Sequence, residues 1–150
     1  STVIHEQHSA VLLVGYSQGS PISVAVVAQL PEDVRNRIAL LTLAAPVHRL
    51  YGRAFPAFYG PKQLERLQKE LTSPDGTVRW RNAVRRSDYI GGWALDEHYS
   101  DTTVVDREIY DPPVLWDDAD PTSPPAHLHS DWFSDPQTRP HVQDMKETLS

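Results

Sequence analysis

The stretch VLLVGYSQGSPISVAVV, residues 11–27, decides how the rest of the chain is read. An apolar run, AVLLVG at 10–15, has the length and character of a short buried strand closed by glycine. The segment 17–29 then carries Ile22, Val24, Ala25, Val26 and Val27, with Leu30 just beyond, and leaves little polar surface. It reads as a largely buried helix. Pro21 lies in its first turn, where a missing N–H does no harm, and Pro31 ends it. Between strand and helix stands Gly15-Tyr16-Ser17-Gln18-Gly19, a G-x-S-x-G pattern.

Such a pentapeptide is common by chance, but a strand entering it and a helix leaving it are the context in which it acquires a mechanism. A sharp strand-to-helix reversal strains the backbone at the serine and pushes its hydroxyl outward. Side chains two residues away would collide as the helix packs, and Gly15 and Gly19 are expected to remove them. The hydroxyl would then stand at a helix N-terminus, where free amides favour developing negative charge. Capping alone would explain a serine here, but not the two glycines.

Further along, RIALLTLAAP at 37–46 is a second buried strand ended by proline. Strand, helix, strand in this order make one βαβ unit of a parallel sheet. Residues 47–60 are aromatic and broken by Gly and Pro, and read as a semi-ordered loop. PKQLERLQKELT at 61–72 places Leu64, Leu67 and Leu71 at helical spacing. TVRWRNAVRR at 77–86 alternates and reads as a strand, with Arg79, Arg81 and Arg85 on a solvated face. TTVVDREIY at 102–110 is a further strand. A proline-rich loop follows, and HVQDMKETLS closes the chain as a short helix.

Composition bounds the function. The chain has 150 residues, 39% hydrophobic and 23% charged, which suits one globular domain. Its net charge of −6 and the lack of a dense basic face argue against a nucleic-acid partner. There is no cysteine, hence no disulfide framework and no thiolate metal site. No apolar run reaches the ~20 residues of a membrane span. A cytoplasmic setting is the expectation for this segment.

VLLVGYSQGS resembles the nucleophile elbow of the α/β-hydrolase superfamily, and GYSQG is similar to the form in cutinase-like and related actinobacterial serine esterases. The resemblance implies an α/β fold, with a mostly parallel sheet and helices packed on it. It implies a serine hydrolase cleaving carboxylic esters or thioesters, without cofactor, through the chain order Ser, acid, His. Ser17 would be the nucleophile and the Gln18 N–H one oxyanion donor. The acid should follow a later strand: Asp88, directly after TVRWRNAVRR, is preferred to Asp106 and Asp111. The base should lie beyond the last strand, where His127 and His129 stand in PPAHLHSDWF. HSDWF resembles a segment of actinobacterial members, which favours His129. A metal pair of His127 and His129 with Asp131 is the rival, and no further ligand at a recognisable spacing completes it.

The superfamily's elbow follows the fifth of about eight strands, whereas here it follows the first. The resemblance therefore implies the C-terminal portion of a longer hydrolase. Some four strands and the loop carrying the second oxyanion N–H would lie upstream, and the parent could be membrane-associated. Residues 47–76 would occupy the place of a lid. The competing function is a non-catalytic α/β domain that keeps the elbow's shape and binds a ligand.

Overall fold

A computed structural model of the chain describes residues 9–95, 105–111 and 129–150. Within these, strand β1 (Val11–Tyr16) leads to helix α1 (Gly19–Gln29), a short helix α2 (Glu32–Arg35) and strand β2 (Ile38–Leu43). A π-helical turn at Val47–Gly52 precedes α3 (Pro56–Tyr59) and α4 (Pro61–Glu70). Strands β3 (Trp80–Val84) and β4 (Asp106–Glu108) and helix α5 (Thr138–Glu147) complete the described elements. The expected semi-ordered loop at 47–60 is thus mostly helical turns. Its aromatics Tyr51, Phe55 and Tyr59 pack ring against ring, which gives the segment local contacts that hydropathy does not reveal.

The strands form one sheet in the order β1-β2-β3-β4, and every neighbouring pair is parallel. This is an α/β fold. β2 is buried along its whole length, as a continuous Ile-Ala-Leu-Leu-Thr-Leu run requires when both faces are covered. Alternate residues feed two cores. Ile38, Leu40 and Trp80 pack with Val24 and Val27 of α1 and with Leu64 and Leu67 of α4. Leu41, Leu43 and Ala83 pack on the other face with Ile109, Trp132 and Met145 of α5. Leu64, Leu67 and Leu71 thus point inward as their spacing predicts, so α4 belongs to the body of the domain. Leu50, Phe55 and Phe58, in the segment expected as a lid, are exposed.

Two expectations are corrected. α1 buries Ser20, Pro21, Ser23, Val24 and Val27, but Ile22 and Val26 stand exposed at 63% and 47%. An apolar helix is buried only where something packs on it, and among the described residues nothing covers that face. The arginines of β3 are not on a solvated face either. Arg79 and Arg85 are buried and Arg81 is half-buried, because β3 lies between β2 and β4 with helices over both faces. Arg79 spends its guanidinium on the carbonyls of Arg35 and Ile38, both at 2.7 Å, and so caps the end of α2. Arg81 reaches the Asp144 carboxylate on α5 at 2.6 Å.

Candidate active site

The parallel sheet turns the C-terminal ends of its strands to one side, where ligands of such sheets gather. Tyr16 ends β1, and Ser17 follows with φ of 50°, a left-handed conformation that a non-glycine residue adopts only when its surroundings hold it. Four contacts do so. The Ser17 amide donates to the Leu43 carbonyl at 3.0 Å, and the Ser20 amide donates to the Ser17 carbonyl at 3.0 Å. The buried Ser20 hydroxyl contacts the Gly15 and Leu43 carbonyls at 3.0 and 3.2 Å. Ser20 was not singled out from sequence; its spacing from Ser17 gives no signal until the elbow exists.

The two glycines are not equivalent. A Cβ on Gly15 would lie 2.8 Å from Ser20 Cα and 2.9 Å from Ser23 Oγ, so glycine is required there. A Cβ on Gly19 would meet nothing within 4 Å, contrary to the collision expected at that position. Gln18 adjoins the first residue of α1, where backbone amides lack intrahelical acceptors.

Asp88 lies in the loop after β3 and is 1% exposed. Its Oδ1 accepts from the amides of Ile90 and Gly91 at 2.9 and 2.8 Å, which fixes the carboxylate in a tight turn. That turn docks on the chain after β2. The Gly92 amide donates to Ala45 at 3.0 Å, and a Cβ on Gly91 would lie 2.7 Å from the Ala44 carbonyl carbon. Arg49 donates to the carbonyls of Asp88, Tyr89 and Gly91 at 3.2–3.3 Å and closes the turn from outside.

His129 brings these parts together. Its Nε2 is 2.8 Å from Ser17 Oγ, and its Nδ1 is 2.8 Å from Asp88 Oδ1 and 3.0 Å from Oδ2. An ionised carboxylate only accepts hydrogen bonds. Opposite an ionised Asp88, a neutral imidazole carries its proton on Nδ1 and turns the Nε2 lone pair to the serine hydroxyl. The histidine is held by a residue that sequence reasoning passed over. The Tyr16 hydroxyl donates to the His129 carbonyl at 2.6 Å, and the two rings stack 5.7 Å apart. Phe133 packs edge-on against Tyr16 at 5.5 Å, and Tyr89 stands 6.4 Å from the imidazole.

The structure thus brings together Ser17, Asp88 and His129 and separates them from the alternatives. Asp106 is fully buried in β4 and accepts from the Asn82 side chain and the amides of Ala94 and Leu95 at 2.8–2.9 Å. It pins residues 94 and 95, downstream of Asp88 in the segment after β3. Asp111 faces the guanidinium of Arg85 at 3.9 Å. His127 lies outside the described residues, and among those described no cluster of His, Asp and Glu suits a metal. Also among the described residues, no helix is long and apolar enough to cross a membrane. Comparison with protein-family models, curated proteins and solved structures gives no match.

Proposed function

We propose that this chain carries the catalytic machinery of a serine hydrolase acting on carboxylic esters or thioesters. The observation that carries the reading is the Ser17–His129–Asp88 line, with 2.8 Å at both junctions and side chains drawn from three loops far apart in sequence. The strained elbow and the order of the loops along a parallel sheet agree with the α/β-hydrolase pattern. A capping serine needs no such partner.

In the proposed cycle, His129 Nε2 takes the proton of Ser17 as Oγ attacks the acyl carbon. Asp88 keeps the imidazole in the required tautomer and stabilises the imidazolium. The Gln18 amide donates to the developing oxyanion. His129 then protonates the leaving alcohol or thiol, and water resolves the acyl-enzyme by the reverse route. Positive charge is generated only on the imidazole, beside a buried carboxylate already held by two amides.

A fluorophosphonate probe tests this directly. Labelling of the wild-type chain, lost in Ser17→Ala together with a fall of about 10⁶ in ester turnover, is the expected result. No labelling while a control hydrolase reacts would instead favour a non-catalytic domain that keeps the elbow as a binding shape.

A further inference from the structure

The buried guanidinium of Arg85 has no part in the proposed cycle, yet it sits under the loop that delivers the base. Arg85 follows the last residue of β3, and its side chain is 0% exposed. Nη1 donates to the Ser130 carbonyl at 2.9 Å, one residue from His129. Nη2 donates to the buried carboxylate of Asp135 at 2.7 Å. The guanidinium carbon lies 4.3 Å from the centre of the Trp132 ring, and Asp111 stands 3.9 Å from Nε. Segment 130–135 therefore wraps one guanidinium through a carbonyl, an aromatic face and a carboxylate. Within it, Asp131 takes a φ of 60° and its carbonyl accepts from the Asp135 amide at 2.9 Å.

The backbone of the same residue, through a contact that any side chain there would leave in place, also meets the turn that carries Asp88. The Asp88 amide donates to the Arg85 carbonyl at 3.0 Å, closing the turn from which Asp88 projects. A ring of contacts results: Asp88 amide to Arg85 carbonyl, Arg85 guanidinium to Ser130 carbonyl, and His129 Nδ1 back to Asp88 Oδ1. We infer that Arg85 is a positioning residue that fixes the His129 imidazole against Asp88 and Ser17. The carbonyl that Nη1 takes belongs to the residue next to His129, so the guanidinium acts on the loop where the imidazole leaves it. The planar fork is what lets one side chain hold a carbonyl and a carboxylate while stacking on an indole. Lysine could keep the charge opposite Asp135 but could not meet all three.

This inference rests on the serine hydrolase reading for its catalytic consequence, though not for the geometry of His129. The test uses the full chain and two readouts. The nitrogen NMR spectrum of His129 reports its tautomer, and the rate of fluorophosphonate labelling reports the reactivity of Ser17. Arg85→Lys is expected to stay folded by near-UV circular dichroism while His129 loses its single Nδ1–H tautomer. Labelling should slow about 10- to 100-fold, since a displacement near 1 Å suffices for that. The double variant Arg85→Met/Asp135→Asn avoids leaving Asp135 as a buried unpaired charge, and should behave alike. A folded variant with an unchanged His129 spectrum and labelling rate would overturn the inference. So would loss of fold in both variants, which would make Arg85 a purely structural anchor. If wild-type protein is not labelled while the His129 spectrum still responds to Arg85→Lys, the positioning role stands and the hydrolase reading falls.

Discussion

Replacing Asp88 by asparagine separates its proposed role as the triad acid from its structural duties. Oδ1 already accepts from the Ile90 and Gly91 amides, so the asparagine carbonyl oxygen must take that place. The amide nitrogen then occupies the position of Oδ2, 3.0 Å from His129 Nδ1. That donor opposes a proton on Nδ1, against the Oδ1 acceptor at 2.8 Å, and the neutral amide no longer stabilises the imidazolium formed when Nε2, 2.8 Å from Ser17 Oγ, takes its proton. In a Ser-His-Asp arrangement that change lowers kcat by roughly 10⁴. At 1.36 kcal/mol per tenfold, the loss is about 5.4 kcal/mol of transition-state stabilisation. The stability cost should be far smaller, roughly 1–2 kcal/mol, because both amides keep an acceptor and only its charge is lost. Asp88→Ala, by contrast, strands both amides at roughly 1–3 kcal/mol each. Hydrolysis of a short-chain nitrophenyl ester, with urea unfolding run in parallel, separates the two effects. An Asp88→Asn protein that is folded and within tenfold of wild-type turnover would refute the assignment of the acid.

Two further outcomes follow from the geometry. Gly15→Ala should destabilise by roughly 1–3 kcal/mol, since its Cβ would press on the Ser20 backbone at 2.8 Å. Gly19→Ala should be neutral or stabilising by up to about 0.5–1 kcal/mol, because the site is open and alanine favours the helix; equal urea midpoints for the two variants would refute the contrast. His141 is held below the ordinary histidine range, first by burial and then by Arg81 and Arg107, with Asp144 opposing. Its neutral form is therefore favoured on folding. The stability this contributes is full above the unfolded value near 6.5 and is lost as pH falls through the lower folded value. Wild-type protein should lose more stability than His141→Gln between pH 7.5 and pH 5 in urea melts, and equal losses would contradict it.

Much of the site was legible because its signals are local. Gly15 and Ser17 share one turn, and the change from strand to helix pattern around them is a matter of neighbouring residues. Asp88 could be found because a sheet presents its loops at strand ends, and His129 because only two histidines stand in the last long loop. Tyr16, Ser20, Arg49 and Arg85 were not legible. Each acts on a backbone carbonyl, and a carbonyl leaves no mark in the sequence.

The arginines of TVRWRNAVRR show where local pattern stops. Alternation along one strand distinguishes two faces but does not say what covers them. β2 and β4 on either side, and helices over both faces, make Arg79 and Arg85 interior. The reverse holds for Ile22 and Val26, apolar residues that the described structure leaves exposed. The sequence by itself determined the α/β class, the elbow and the order of the three site residues, because hydrophobic period and turn chemistry are properties of adjacent residues. Only the tertiary structure decided burial and distance: that Asp88 rather than Asp111 meets His129, and that the guanidinium of Arg85 lies beneath the loop that carries His129. Those are relations between segments about 40 to 110 residues apart, and nothing shorter than the folded sheet specifies them.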